Sequence, residues 1–155
     1  MQTREIGGGV MRLQGAIFDG TDLLCDGAGK PRPGVSEFLS LLKMDGVWLY
    51  LVTAGERSEA EGVLSRAGLG ERFRGVLSAG EVRGGIEDVY ERAVRRLQTA
   101  KPTVVVFTAD LEQLPVLYAA DFRLAAVVGD VPVTPAQEQM TEYCIRDFAE
   151  LICRT

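Results

Sequence analysis

The chain has 155 residues, of which 46% are hydrophobic and 25% charged, with a net charge of −5 and a pI near 4.8. This size and composition predict one globular domain, and the acidic balance argues against a nucleic-acid partner, whose phosphate backbone requires a basic surface. The longest apolar runs, Val47 to Val52 and Val104 to Phe107, are far too short to span a membrane, and the N-terminus lacks the apolar core of a signal peptide. We therefore expect a cytoplasmic protein that binds neither a membrane nor a nucleic acid.

The absence of histidine excludes several kinds of active site. Ser-His-Asp and Cys-His catalysis, histidine metal ligands and a histidine acid/base are all ruled out. The cysteines, Cys25, Cys144 and Cys153, are odd in number and have no CxxC spacing, which predicts neither a disulfide framework nor a zinc site. Any chemistry must come from carboxylates, hydroxyls, Lys or Arg, backbone amides, or a metal bound through oxygen.

In chain order, short β-branched runs alternate with longer amphipathic segments. Residues 1–10 show no periodicity, and the guanine-rich codons implied just before Met11 indicate that Met11 is the natural start, so we expect a tail over 1–10 and a single domain over 11–155. The predicted strands are Leu13 to Phe18, Val47 to Val52, Gly75 to Leu77, Thr103 to Phe107, Leu124 to Val128 and a short sixth strand at Tyr143 to Ile145. The predicted helices are Val35 to Met44, Glu56 to Ala67, Ile86 to Leu97, Leu111 to Ala120 and a closing helix with Asp147 as N-cap and Glu150 as its capping-box partner.

This alternation predicts an α/β fold with three layers, in which a Rossmann-like parallel sheet of about five or six strands has helices on both faces. Ligands of such folds bind beyond the carboxyl ends of the strands, where loops and helix N-termini meet. The segments to inspect directly follow the predicted strands: Asp19 to Asp22, Thr53 to Gly55, Ser78 to Gly80 and Thr108 to Asp110.

Several stretches, taken together and in order, resemble one superfamily of enzymes. They are "GAIFD", "PRPGVSEFLSLLKMDGVWLYLVTAG", "ERSEAEGVLSRAGLGERFRGVLSAGEV", "DVYERAVRRL", "AADFRLAAV" and "YCIRDFAEL". From about Met11 to the C-terminus they resemble the haloacid dehalogenase (HAD) superfamily, closest to its phosphoglucomutase and phosphatase branch. The resemblance implies four motifs: a nucleophilic aspartate followed two residues later by an acid/base aspartate, a phosphate-binding Thr or Ser, a neutralising lysine, and magnesium-binding acids after the fourth strand.

In the first motif, the resemblance places Asp19 at the nucleophile and Thr21 where the acid/base aspartate is expected. An alternative register matches "DGT" to the family's "DGT", which makes Asp19 the acid/base and leaves Ile17 at the nucleophile. Either register lacks one of the two carboxylates, and Asp22 cannot easily replace it because successive strand side chains alternate faces. Asp19 and Thr21 are therefore the candidate catalytic positions.

The second motif is intact, since Thr53, Ala54 and Gly55 match the phosphate-binding segment before a helix. On sequence alone, an N-cap threonine without a ligand explains Thr53 equally well. The third motif is lost. Gly84 or Gly85 stands where the family has its lysine, Arg83 is more commonly a surface residue, and Lys101 is in the wrong place.

The fourth motif is nearly lost, because Thr108 and Ala109 replace the two acids and Asp110 follows one residue late. Asp110 serves equally well as a helix cap. A magnesium site would have to use Asp19, Asp110 and a backbone carbonyl at Thr21, which are fewer fixed anions than Mg²⁺ normally finds.

The segment from Asp26 to Pro33 is long enough for a short flap and not for a cap domain, so water exclusion would be poor. Together these features predict a HAD-like hydrolase fold with an eroded active site, non-catalytic or very weakly active, with a binding or regulatory role. They leave open a phosphate or phosphorylated ligand, a protein partner or a homo-oligomer. The alternative is a Mg²⁺-dependent phosphomonoester hydrolase with Asp19 as nucleophile.

Overall fold

Within residues 13–83, 86–130 and 132–152, the part of the chain that the computed structural model describes, six strands form one parallel sheet. They are β1 (Gly15–Asp19), β2 (Trp48–Thr53), β3 (Gly75–Ser78), β4 (Val104–Thr108), β5 (Leu124–Val128) and β6 (Tyr143–Ile145). Their order across the sheet is β3-β2-β1-β4-β5-β6, and each neighbouring pair is parallel. The strand order reverses between β1 and β4, which is where open α/β sheets form a ligand-binding crevice.

Helices and short 3-10 turns connect these strands. The helices are α1 (Val35–Met44), α2 (Arg57–Arg66), α3 (Ile86–Leu97), α4 (Gln113–Ala119) and α5 (Pro135–Glu138). The 3-10 turns are Thr21–Leu23, Gly70–Arg72, Ala79–Glu81, Lys101–Thr103 and Phe148–Leu151. Among the described residues, every helix is too short or too polar to cross a bilayer.

Alternation of side chains along the strands divides the core into two layers. In β1, Ala16 and Phe18 pack with α1 and α2, whereas Ile17 between them packs with α3 and α4. All three side chains are fully buried, as strands covered on both faces require. The three-layer α/β prediction is therefore confirmed.

Phenylalanine side chains form the centre of the layer beneath α1 and α2. Phe18 and Phe107, on neighbouring strands, stack with ring centroids 5.0 Å apart. Phe148 stacks on Phe38 at 5.3 Å and meets Phe107 edge-on at 5.2 Å. Since such aromatic pairs stabilise beyond the area they bury, the late turn that carries Phe148 is an integral part of this core.

The predicted element boundaries lie within two residues of those observed, except at the end of the chain. The prediction of a closing helix is wrong, because Phe148–Leu151 is one 3-10 turn and the backbone is extended again at Ile152. Asp147 does cap this turn, with Oδ1 accepting the Ala149 N–H at 3.0 Å. The carboxylate of Glu150 accepts the N–H of Arg146 at 2.8 Å, which places it one residue before the amide that a capping box requires. The predicted tail over 1–10 and the start at Met11 lie outside the described residues.

A close approach between the loop before α1 and the last turn depends on one glycine. Gly34 has φ +81°, and a Cβ at this position would lie 2.5 Å from the Cα of Ala149. Such a distance is far inside van der Waals contact, so a larger residue would push the last turn away from α1.

The segment between β1 and α1 is a tight flap. Asp26 Oδ1 accepts the N–H groups of Ala28 and Lys30 at 2.9 and 3.0 Å. Cys25 and Pro31 form an isolated antiparallel β-bridge. The hydrogen bond from Lys30 contributes most to holding the pKa of Asp26 below its usual value. The segment is a self-contained turn, as its length predicts.

Candidate active site

The carboxyl ends of β1 and β4 bring Asp19 and Thr108 together. The two strands are paired in register through Phe18 and Phe107, so the residues that follow are neighbours. The fully buried Thr108 hydroxyl donates a hydrogen bond to Asp19 Oδ2 at 2.8 Å. Ile17, two residues earlier, is completely buried in the apolar core, and this geometry favours the register that places Asp19 at the nucleophile.

The surroundings of Asp19 favour its neutral form. Burial raises the pKa of this carboxyl, and the nearby Asp110 adds to the rise, while hydrogen bonds with Thr108 and Tyr90 only partly oppose it. The Tyr90 hydroxyl, from α3, also lies 3.1 Å from Gln113 Oε1, so Asp19 and Gln113 compete for its single proton. Burial and the charge of Asp19 raise the pKa of Tyr90, so its phenol remains protonated. Two neutral hydroxyl groups, those of Thr108 and Tyr90, thus contact the Asp19 carboxyl.

Tyr90 and Gln113 were not among the candidates from sequence. Tyr90 falls within the apolar stripe of α3, next to Val89 and on the same face as Ala93 and Val94, and there it reads as an ordinary core residue. The available signal was its position in the second turn of the helix, close to the carboxyl end of the sheet.

Thr21 and Asp22 lie in the 3-10 turn that follows β1. Thr21 is half-buried, and its carbonyl accepts the N–H groups of both Leu24 and Cys25 at 2.9 Å. Asp22 is exposed, and its own carbonyl accepts Arg32 Nε at 2.7 Å. The sequence argument from alternating strand faces does not apply to Asp22, because Thr21–Leu23 is a 3-10 turn and not part of β1.

The predicted phosphate-binding segment, Thr53 to Gly55, is a turn in which one backbone amide is already hydrogen-bonded to a side chain of the same segment. The Gly55 N–H donates to Thr53 Oγ1 at 3.1 Å, so one of the expected anion-binding amides already has a partner. Ala54 is exposed at the tip of this turn. Thr53 keeps its hydroxyl proton for donation, since in this bond it is the acceptor.

Ser78, at the end of β3, fixes the same turn from the side. Its buried hydroxyl donates to the Gly55 carbonyl at 2.7 Å, and it forms a capping box with Glu81. Glu81 in turn pairs with Arg57 at the start of α2, at 3.1 Å. The positive charge nearest in sequence to the predicted phosphate-binding turn is thus already paired with a carboxylate.

Asp110 serves the local structure of the loop after β4. Its Oδ1 accepts the Glu112 N–H at 3.0 Å, and its own N–H donates to Thr108 Oγ1 at 3.0 Å. These bonds shape the turn that leads into α4, but the helix-cap interpretation of Asp110 is wrong, because α4 begins at Gln113 and its N-cap is Glu112, which makes no side-chain cap.

The lysine that the resemblance implies has no equivalent in the described part of the chain at this edge. Gly84 and Gly85, which occupy its position in sequence, lie outside the described residues. Lys101 is at the opposite, amino-terminal edge of the sheet, where Nζ contacts Glu91 Oε2 at 3.0 Å and the Ala120 carbonyl at 2.6 Å.

The donor set does not fit the magnesium site that the resemblance implies. Both acceptor positions of the Thr21 carbonyl are used by backbone amides, and Asp19 Oδ2 is used by a neutral hydroxyl. No group of three or more acidic or thiol side chains suited to a metal ion occurs among residues 13–83, 86–130 and 132–152. We therefore derive no chemical step through a metal.

Comparison with known proteins places this geometry in context. The family profile of haloacid dehalogenase-like hydrolases matches residues 14–112. A candidate β-phosphoglucomutase from Thermotoga maritima superposes with a TM-score of 0.69 and 21% identity, over 80% of this chain and 62% of that chain. A β-phosphoglucomutase from Clostridium difficile gives 0.66 and 15%, over 78% and 52%. The core domain of a candidate phosphoglycolate phosphatase from Streptococcus pneumoniae gives 0.63 and 16%, over 92% and 95%.

This chain therefore spans 52% to 62% of the two phosphoglucomutase structures and nearly the whole of the isolated core domain. At these identities the likeness shows a shared fold. No curated protein matches the sequence.

Proposed function

Because the chain belongs to the haloacid dehalogenase-like hydrolase family, we propose that it is a member that has lost phosphoryl transfer and acts by binding a ligand or a partner. The observation that carries this proposal is the hydrogen bond of 2.8 Å from the buried Thr108 hydroxyl to Asp19 Oδ2. A nucleophilic carboxylate must be ionised and free to attack, whereas burial raises the pKa of Asp19 and neutral hydroxyls occupy it.

The remaining motifs support the same proposal through charge. Phosphoryl transfer depends on positive groups that stabilise the anionic transition state. Arg57 is paired with Glu81, and Lys101 lies at the other edge of the sheet. Removing a transition-state donor or a general acid each lowers the rate by about 10² to 10⁴. The combined losses would leave little of the family's rate enhancement.

The alternative is a Mg²⁺-dependent phosphomonoester hydrolase that uses Asp19 as nucleophile and Thr53 to bind phosphate. The observation in its favour is that Asp19, Thr53 and Thr108 end strands of one parallel sheet and so lie at one edge. It requires that Asp19 exchange its hydroxyl partners for a metal ion and that another cation, such as Arg32 or Arg146 near Ala109, take the role of the missing lysine.

An assay with p-nitrophenyl phosphate and acetyl phosphate separates the two functions. We expect the wild-type protein with Mg²⁺ to turn over neither substrate faster than Asp19→Asn does, because the nucleophile lacks an acid/base partner and a neutralising cation. Asp121→Asn, which changes an exposed acid before β5, is the matched control. Magnesium-dependent turnover that Asp19→Asn abolishes and Asp121→Asn preserves would establish the phosphatase instead.

A further inference from the structure

A cavity of about 300 Å³ opens beside the carboxyl ends of β4 and β5. Ala109, which stands where the resemblance implies a magnesium-binding acid, forms part of its wall. Asp22, from the turn after β1, forms another part. The cavity, called here the β4–β5 cavity, is thus adjacent to the Asp19 and Thr108 pair, and its volume is at the small end of the range for ligand sites.

The floor of the β4–β5 cavity is apolar and fixed in place. Leu23, Val128 and Phe148 line it, and each is at least nine-tenths buried. The ring of Phe148 is held by its stacking on Phe38 and its edge contact with Phe107. This floor offers a preformed surface to the apolar part of a ligand, and burial of such a part favours binding.

The rim of the cavity carries charges of both signs. Arg32 comes from the flap, where its N–H donates to the Leu24 carbonyl at 2.7 Å and its Nε to the Asp22 carbonyl at 2.7 Å. Arg146 follows β6, and its N–H donates to Glu150 Oε2 at 2.8 Å. Both arginines are therefore held through their backbones beside the opening.

Two carboxylates balance these arginines. Asp147 spends Oδ1 on the N–H of Ala149, whereas the carboxylate of Asp22 accepts no hydrogen bond from the residues that the structure describes. Two guanidinium groups and two carboxylates give the rim a formal charge of zero. A phosphate ester would bring two negative charges to a rim that already holds two carboxylates. It would also place a polar body against the apolar floor.

We propose that the β4–β5 cavity binds a small zwitterion with an apolar body, namely an α-amino acid with a branched aliphatic side chain. The ligand's carboxylate pairs with Arg146 and Arg32, its ammonium group pairs with Asp22, and its side chain covers Val128 and Phe148. This inference rests on the proposed function, since it names the ligand of a member that binds rather than catalyses. The replacement of an acid by Ala109 removes a charge that would otherwise border the apolar floor.

A titration with L-leucine, followed by the backbone amide signals of the ¹⁵N-labelled full chain, tests the proposal. We expect saturable shifts at millimolar ligand that are largest at Ala109, Gly129 and Phe148. N-acetyl-L-leucine lacks the ammonium group and 3-methylbutylamine lacks the carboxylate, so each should bind more weakly by about tenfold or more, the usual effect of losing a hydrogen bond to a charged group. Equal binding of either analogue would overturn the zwitterion assignment.

Matched variants locate the site. Arg146→Gln and Asp22→Asn should each weaken L-leucine binding by about tenfold, because each removes one charged partner. Arg123→Gln and Asp121→Asn alter an exposed ion pair before β5 and should change nothing. No saturable shift, or affinity that is the same in all four variants, would overturn the proposal. Phosphatase turnover would overturn the proposed function alone, because this readout is independent of catalysis.

Discussion

Asp19 illustrates how a side chain's chemistry depends on its neighbours. In a phosphatase of this family, the aspartate at this position must be an anion beside cations. Here the carboxyl lies beside the hydroxyls of Thr108 and Tyr90, and burial raises its pKa. Ionising Asp19 in the native state therefore lowers the free energy of unfolding.

The pH dependence of stability follows from that shift. Below the unfolded pKa the carboxyl is protonated in both states, and its stabilising contribution is complete; the contribution is lost as the pH rises through the raised folded pKa. Asp19→Asn stays neutral, so it should melt higher than wild type at pH 7, with a difference that shrinks towards zero below pH about 4. Thermal unfolding across that range measures this. A difference that is independent of pH, or equal in Asp22→Asn, would contradict the explanation.

The individual site residues could be predicted only in part. Asp19, Thr53 and Thr108 were identified because each directly follows a short apolar run that predicts a strand. Tyr90 was missed because its hydroxyl meets Asp19 only after α3 packs across β1, a contact between residues far apart in the sequence. Local sequence patterns carry no information about such contacts. The hydroxyl groups that contact Asp19 could therefore be identified only from the structure.

At the scale of elements, prediction worked where periodicity was strong. The limits of α1, α3, β5 and β6 agree with the sequence pattern because apolar spacing alone sets which face is buried. The last turn was mispredicted because the core contacts of Phe148, rather than local helix signals, fix the chain there. Tertiary packing overrides a capping signal when the segment is only one turn long.

A pair of glycines tests how closely that turn packs on α1. Gly34→Ala and Gly46→Ala both place Ala at a similar positive φ, +81° and +79°, but a Cβ meets the Ala149 backbone at 2.5 Å at the first and open space at the second. Gly46→Ala should cost about 1 kcal/mol for the left-handed backbone, and Gly34→Ala about 1 to 3 kcal/mol more for the added overlap. Urea denaturation with unchanged slope measures both. Equal losses of unfolding free energy in the two variants would show that the last turn moves away from α1 at no energetic cost.

At the scale of the whole molecule, the residues that the resemblance selects lie at one edge of the sheet. Asp19, Thr53 and Thr108 end neighbouring strands there, while Lys101 contacts Glu91 and the Ala120 carbonyl at the other edge. The Thr21 carbonyl accepts hydrogen bonds from two backbone amides, those of Leu24 and Cys25. Our proposal is that the fold keeps the place for catalysis without the charges that the family's chemistry requires.

Replacing the missing side chains tests whether the scaffold alone could support catalysis. We expect Thr21→Asp, Gly85→Lys and Ala109→Asp together to give no magnesium-dependent hydrolysis of p-nitrophenyl phosphate above the Asp19→Asn rate, because none of them frees the Thr21 carbonyl. Circular dichroism of the triple variant serves as the folding control. Turnover that rises by about 10² or more would show that side chains alone were limiting.

The position of Phe148 also constrains how the protein is made. Its ring joins Phe38 and Phe107, which emerge much earlier during synthesis, and without it their layer of the core stays open. Domains begin to fold from the N-terminus as the ribosome elongates them, at about 5 to 20 residues per second. The contacts of Phe38 and Phe107 with Phe148 can therefore form only after residue 148 has left the ribosome, so this layer of the core is completed last.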